Sequence, residues 1–449
     1  MENYIDMIRK LLVNLIAKKN GDDYSKEYRE LNNRYKSDSI ELFQNVQLTN
    51  LIKQANLNSK YYQKIFSETG VINNNSINLS NFNKIPILTK NIIRENIEEI
   101  YSKDYTTRKW YYNSSGGSTG EPLRLIQDTV YSKWGNAMAR FYYNNFLNID
   151  EPYVKKIILW GAERDLAQGE RDLKIKFNDW MNNTIFLNSF LITESDMARY
   201  INIINSYRPV LLRGYAGSLY EISKYIEKND LSIHSPKIII SAAETLHKNM
   251  REKIESVFGR KVYDYYGSRE IGHLAGECKK GYYHTLFWNY FEVLDKDNNP
   301  VQEGEEGRII VTNFFNYSMP LIRYEIGDMA IRGPDKCPCG KLLPTLIRIT
   351  GRITDHFKRK DGSIIHGEYF THLFYLKDWV QSFQIIQENF ERIKILIVKK
   401  SEINPIEKSD IENKIKLVMG NNCIIKWDIV DQIPKTKTGK YLFTKSEIR

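Results

Sequence analysis

The chain has little of what secreted, membrane-spanning or nucleic-acid-binding proteins need. Four cysteines in 449 residues cannot make a disulfide framework. No apolar run approaches the ~20 residues of a bilayer-spanning helix. The longest near the N-terminus, "LLVNLIA", is short and is followed by no small-residue cleavage site. There is no low-complexity tract and no internal repeat. Lys and Arg exceed Asp and Glu by 65 to 55, a net charge of +10, but they are scattered, and no basic stripe interleaved with aromatics marks a nucleic-acid surface. These absences predict a globular, cytoplasmic protein without an integral membrane segment. At 42% hydrophobic and 27% charged residues, it is long enough for two or three domains.

Ile5, Ile8, Leu12, Leu15 and Ile16 fall on one face of an N-terminal helix. Packing of that face against the protein is the expectation, with peripheral membrane docking through Lys18 and Lys19 as the alternative. The middle of the chain alternates. "KKIILWG", "RPVLLRGY", "KIIISAAE" and "KVYDYYG" read as strands, separated by the helical periods "SDMARYINIINSY", "GSLYEISKYIEKN" and "HKNMREKIESVFG". Such spacing implies βαβ units and a mainly parallel sheet, whose ligands lie beyond the carboxyl ends of the strands. "FEVLDKDNNPV" and "GEEGRIIVTNF" then suggest a β-rich region of hairpins. The last hundred or so residues form a compact α+β module: two strands turning near Asn389, a helix in "PIEKSDIENKIKLVMG" and a strand in "CIIKWDIV".

Chemistry concentrates in a few stretches. "NSSGGSTGEPL" (Asn113–Leu123) packs glycines and hydroxyls as a backbone does when its N–H groups wrap an anion. It lacks the lysine of G-x-x-x-x-G-K-[ST], with Glu121 after the last glycine, and alone it reads equally as a flexible turn. "YDYYGSREIG" follows a strand and places Glu270 where a carboxylate can hold Mg²⁺ against phosphates. "RYEIGDMA" presents Asp328, "TGRITDHFKRKDG" Arg352, and "IPKTKTGKY" Lys440. Cys278, His284, Cys337 and Cys339 are a thiolate and imidazole set suited to structural zinc, although C-x-C is tighter than usual finger knuckles and ordinary reduced thiols are the alternative.

In this order and spacing the motifs resemble the AMP-forming adenylate superfamily of acyl-CoA synthetases, peptide-synthetase adenylation domains and luciferases. Within it, "SKYYQKIF", "IPILTKNIIREN" and "CPCG" ahead of "TGRITD" look most like the phenylacetate–CoA ligase branch and its capsular-polysaccharide relatives. The resemblance covers most of the chain. It implies an α/β fold: a large, multi-lobed N-terminal domain, residues 1–352, and a small, mobile α+β C-terminal domain, 353–449, joined at a hinge near Thr354 and Asp355.

It also implies the chemistry. A small-molecule carboxylic acid and ATP give an acyl-adenylate and pyrophosphate, and the acyl group passes to CoA or another thiol, an amine or a glycan. Ser115, Gly117, Ser118, Thr119 and Gly120 would cradle the β- and γ-phosphates. Ala243, Glu244 and Thr245, with Tyr265, Tyr266 and Gly267, would frame the adenine. Asp328 would hold the ribose, Arg352 the ribose or a phosphate, and Glu270 Mg²⁺. Lys440 would bridge the carboxylate and the α-phosphate, the kind of donor worth roughly 10²- to 10³-fold in rate. Two departures from the family stand out: Glu121 replaces the loop's usual lysine, and in Tyr266-Gly267-Ser268-Arg269-Glu270 it is Arg269 that stands directly before Glu270 where a hydroxyl residue is common. Arg269 could then contact a phosphate or an anionic substrate, and Arg124 could partly restore the missing positive charge. An acyl pocket is expected near Trp160-Gly161, Tyr215-Ala216-Gly217 and "YDYY". Three rival readings stand beside the ligase: adenylation of a coenzyme hydroxyl, a non-catalytic nucleotide-binding scaffold or regulator, and, weakest, nucleic-acid binding.

Overall fold

The computed structural model describes residues 2–74, 76–114, 123–161, 173–350, 357–365, 367–374, 377–433 and 443–448. Isoleucine-rich runs such as Ile238-Ile239-Ile240, fully or almost fully buried, form the centre of one large sheet. Five strands run parallel, in the spatial order Thr184–Asn188, Lys156–Trp160, Leu211–Tyr215, Ile238–Ala242 and Val262–Ser268. Helices Glu194–Tyr207, Ala216–Lys228 and Lys248–Phe258 make the crossovers, and the last ends at Gly259 as the sequence predicts. The first begins with a reciprocal capping box between Thr193 and Asp196. Strand order reverses between Lys156–Trp160 and Leu211–Tyr215, which opens a crevice at their carboxyl ends.

The β-rich region is continuous with this sheet. After Ser268 the chain doubles back, and six antiparallel strands extend the sheet to eleven: Gly272–Glu277, Tyr283–Thr285, Thr345–Thr350, Tyr324–Arg332, Glu306–Asn313 and Asn289–Leu294. Thr345–Thr350 belongs to this sheet and lies just before the expected hinge near Thr354 and Asp355 in sequence.

Helix Thr129–Leu147 lies across the junction. Its cap, Asp128, is buried; one carboxylate oxygen accepts from Val130 N and Tyr131 N and the other from Ser318 N and Oγ. Tyr142 of this helix donates to Glu277 O at 2.7 Å, and its ring occupies the space over Gly276, where an added Cβ would sit 2.2 Å from a ring carbon.

Among the described residues no helix is long and apolar enough to cross a membrane. In the first helix, Glu2–Asn20, only part of the expected face packs inward. Leu12 and Ile16 are half-buried, Ile8 and Leu15 are exposed, and the side chain of Ile5 lies outside the described residues. The inward contacts come from Arg9, whose guanidinium sits 4.7 Å from the centre of the Trp180 ring and bonds Asn183 Oδ1.

The C-terminal domain is built on a sheet ordered Ile424–Ile429, Arg392–Lys399, Val380–Asn389 and Thr444–Ser446, with helix Pro405–Met419 against it. Asn389 starts the tight turn between its long strands, as the sequence predicts. It meets the larger part through a three-stranded sheet of Leu191–Ile192, Ile364–Ile365 and Phe357–Lys358, and through Phe190 packed on Tyr369 with ring centres 5.5 Å apart. Residues 351–356, which hold the expected hinge and domain boundary, lie outside the described residues.

Gly276→Ala should destabilise the protein by about 1–3 kcal/mol, the usual cost of overpacking a filled core. Chemical denaturation checks this; an unchanged midpoint would mean that Tyr142 yields freely.

Candidate functional site

A cavity of about 1280 Å³ opens at the carboxyl ends of the parallel strands. Ala243, directly after strand Ile238–Ala242, has φ of 67°, an unusual conformation for a residue with a Cβ. It turns the backbone of residues 243–245 along the cavity wall. The Glu244 carboxylate accepts from Gly217 N at 2.8 Å, at the N-terminus of helix Ala216–Lys228. Its side chain therefore ties two strand ends together.

The hydroxyl-and-glycine stretch, with Ser115, Gly117, Ser118, Thr119, Gly120 and Glu121, lies outside the described residues. Its two flanks are well defined. Strands Trp110–Ser114 and Arg124–Asp128 pair antiparallel from Trp110 opposite Asp128 to Ser114 opposite Arg124. Asn113 Nδ2 donates to Gln127 Oε1 at 2.9 Å and to Arg269 O at 3.1 Å. Gln127 Nε2 donates to Arg269 O at 2.9 Å and Glu270 O at 3.2 Å. Both flanks are thus fastened to the turn that carries Glu270. Arg124 stacks its guanidinium 3.7 Å from the centre of the exposed Tyr112 ring.

Glu270 is 2% exposed, with its carboxylate 3.4 Å from Lys90 Nζ and 3.5 Å from the Tyr324 hydroxyl. Lys90 is itself buried. Nothing in the charge pattern of "LTKNIIREN" pointed to Lys90, because its partner is far away in sequence. Breaking such a buried pair on one side is costly. A buried carboxylate at a cavity wall, completed by phosphate oxygens and water, is a donor set that Mg²⁺ accepts.

Asp328 lines the same cavity and accepts from the Tyr266 hydroxyl at 2.7 Å. Gly267 follows a bulge in the hairpin, where an added Cβ would sit 2.7 Å from Gly272 O. Ser268 Oγ accepts from Ile271 N at 3.1 Å and closes the turn. The Arg269 guanidinium points at the C-terminal domain, 3.0 Å from His372 Nε2. Thr371 and Phe443 of that domain also line the cavity. Arg352 and Lys440 lie outside the described residues.

The aromatic end of the cavity is where the switch point leads. The Trp160 and Tyr215 rings lie 4.5 Å apart, and Tyr265 packs on Tyr142 at 4.9 Å and on His273 at 5.6 Å. Burial, with the Arg213 cation nearby, pushes the His273 imidazole down to about 3, so it is neutral. The sequence reading missed both Arg213 and His273, which become visible only once strand register turns them into the cavity.

Away from these walls, Cys278, His284, Cys337 and Cys339 converge, with their ligand atoms all within 4.8 Å of one another. Cys278 Sγ and Cys337 Sγ are 3.8 Å apart, and Cys339 Sγ is 3.3 Å from His284 Nε2. Tetrahedral zinc with ordinary bond lengths needs edges of roughly 3.5–3.8 Å. His284 Nδ1 lies 3.0 Å from Leu343 O, and donation there leaves Nε2 unprotonated for a metal. Burial and the neighbouring cysteines push the Cys337 thiol up to about 12, a cost that a cation would reverse. The donor set fits zinc. Cys423 is apart, buried in the C-terminal core.

Residues 357–447 match the CapK C-terminal domain family. Over 437 residues the chain is 25% identical to protein CapK of Staphylococcus aureus, covering 95% of this chain and 94% of CapK. It is 24% identical over 330 residues to the phenylacetate–coenzyme A ligase of Escherichia coli K12, covering 71% of this chain and 72% of that protein. The fold is shared with 2-hydroxyisobutyryl-CoA ligase in complex with 2-HIB-AMP and CoA. The TM-score there is 0.59 at 17% identity, covering 92% of this chain and 90% of that one. Sequence order, fold and relatives agree: over nearly its whole length the chain is similar to CapK, over most of it to the phenylacetate–coenzyme A ligases, and it shares the fold of an AMP-forming CoA ligase, consistent with the AMP-forming adenylate superfamily.

Proposed function

We propose that the protein is an ATP-dependent, AMP-forming ligase that activates a small carboxylic acid. A carboxylate oxygen attacks the α-phosphorus of ATP, the bond to the bridging oxygen breaks, and pyrophosphate leaves. An acceptor then attacks the acyl carbon, and AMP departs. The observation that carries this reading is the clamp of Asn113 and Gln127 on the Arg269–Glu270 turn, which fastens the two strands flanking the hydroxyl-and-glycine stretch to the turn beside the cavity that Asp328 also lines.

In this reading Ser115–Gly120 hold the outgoing phosphates through backbone N–H groups and hydroxyls. The 243–245 backbone and Tyr266 flank the base, Asp328 takes the ribose, and Arg352 takes the ribose or a phosphate. Mg²⁺, held against the phosphates by Glu270, would supply charge neutralisation, and Lys90 holds that carboxylate in place. Lys440 reaches the reacting carboxylate from the C-terminal domain; Phe443, three residues on, lining the cavity is consistent with this. The chain divides at 352/353, and rotation about Thr354–Asp355 withdraws Lys440 and admits the acceptor. That rotation must part Arg269 from His372.

The phenylacetate–coenzyme A ligase relatives favour a thiol, CoA, as acceptor, with an amine or a glycan of surface polysaccharide assembly as the other candidates. The proposed setting is the cytoplasm, where ATP is available. We also assign a structural zinc to Cys278, His284, Cys337 and Cys339, stapling the loop before Thr345–Thr350 to the hairpin after Gly272–Glu277.

Exchange of labelled pyrophosphate into ATP, run over a panel of aryl, fatty, amino and sugar acids, should occur with at least one class. No exchange with any acid, together with no calorimetric binding of ATP or AMP, would refute the ligase. Lys440→Ala should lower exchange by about 10²-fold or more while nucleotide affinity stays nearly intact; full activity would remove Lys440 from its role.

Elemental analysis of protein purified without chelator should find about one zinc per chain, and Cys337→Ser should lose it and melt earlier. Metal-free protein with an unchanged melting point would overturn the zinc assignment.

A further inference from the structure

We infer that the acid carries a second anionic group, a carboxylate or a phosphate, which Arg213 recognises; this rests on the ligase reading and names its substrate class. Arg213 stands in strand Leu211–Tyr215, beside the switch point, and its side chain lines the cavity. Its guanidinium carbon lies 5.3 Å from the centre of the Trp160 ring and 5.8 Å from that of Tyr265. Among the described residues no carboxylate comes within 4.0 Å of it, although the chain is well supplied with acids. Glu151, whose field reaches Arg213, is held by Lys156 Nζ at 2.7 Å.

The polar atoms around Arg213 are also unspent. Its Nε is buried without a hydrogen-bond partner, and so are the hydroxyls of Tyr143 and Tyr265. Tyr143 interacts electrostatically with the guanidinium, but its hydroxyl makes no hydrogen bond of good geometry. Neutral His273 adds a polar ring to the same wall and no charge to balance the cation.

Arg213 is half-buried with its Nε fully covered, so part of a cation is desolvated there without a counter-charge, and a wall that needed only packing would use Met or Leu. A planar guanidinium held by aromatic faces, with two phenols beside it, is suited to a bidentate oxyanion. The carboxylate that reacts must lie toward Glu270 and the phosphates, so the anion at Arg213 is a different one. A simple monocarboxylate such as phenylacetate would leave the guanidinium and both phenols unsatisfied, and a site built for a polar group rejects analogues that lack it.

The test uses matched pairs in pyrophosphate exchange with the full-length protein: phenylacetate against 4-carboxyphenylacetate, and glucuronate against glucuronate 1-phosphate. The first pair probes a carboxylate as the second anion and the second pair a phosphate. The dianionic member of at least one pair should have kcat/KM about 100-fold higher. In Arg213→Met this ratio should collapse toward one, while Arg213→Lys should keep part of it. Equal or better turnover of both monoanions by the wild type overturns the inference, and that result needs no variant to fold. So does an unchanged ratio in folded Arg213→Met. Calorimetric binding of the same pairs reads the preference without turnover, and absence of any preference there also overturns it. No exchange and no ATP or AMP binding would instead refute the ligase reading.

Discussion

Two side-chain amides hold the site together. Asn113 and Gln127 both donate to the carbonyl of Arg269, and Gln127 reaches that of Glu270 as well. Carbonyls at the tip of a turn have no ladder partner, and buried ones need donors. Here the donors come from a separate hairpin, so satisfying the turn also fixes where the hydroxyl-and-glycine stretch begins and ends. Removing Gln127 would take away the amide donor of the Glu270 carbonyl and leave Asn113 alone on that of Arg269, whereas removing Asn113 would leave both carbonyls bonded by Gln127. The rest follows from this fastening: Asp128 at the base of the hairpin caps the long helix and binds Ser318, and that helix covers the seam between parallel and antiparallel halves of the sheet.

The cavity is bordered by buried polar groups that a merely stable protein would avoid. Buried Lys90 faces Glu270, and half-buried Arg213 stands among rings with no carboxylate within 4.0 Å among the described residues. Desolvating such groups costs stability, and the surrounding apolar core offsets it. The cluster of Cys278, His284, Cys337 and Cys339 answers a different need. The loop of Cys337 and Cys339 has little apolar mass of its own, and a metal would fix it where packing cannot.

Much of the architecture was legible in the sequence because local periodicity and long-range packing agree there. The isoleucine-rich strands, the helix ending at Gly259 and the turn at Asn389 each follow from short-range pattern. The fusion of both β regions into one sheet was not legible, since it depends on the pairing of Gly272–Glu277 with Val262–Ser268, and those strands carry no strong alternation. In the first helix the apolar stripe was only half informative, since Leu12 and Ile16 are half-buried while Ile8 and Leu15 stay exposed. At the site, Glu270 and Asp328 were visible as motif residues and lie on one cavity. Lys90 and Arg213 were not visible, because a charge becomes informative only when its neighbours in space are known.

In the proposed reaction, a separate C-terminal domain would give the chemistry a way to change partners. The N-terminal part supplies fixed donors, and the C-terminal domain brings Thr371 and Phe443 to the cavity and binds Arg269 through His372. The most direct measurement is a crystal structure of the protein with ATP, Mg²⁺ and a non-reacting acid analogue. Density with ribose hydroxyls on Asp328, base against the 243–245 backbone and phosphates between residues 115–120 and Glu270 is the expected result. Nucleotide bound elsewhere, or an empty cavity at saturating ATP, would contradict the assignment of this cavity as the adenylation site.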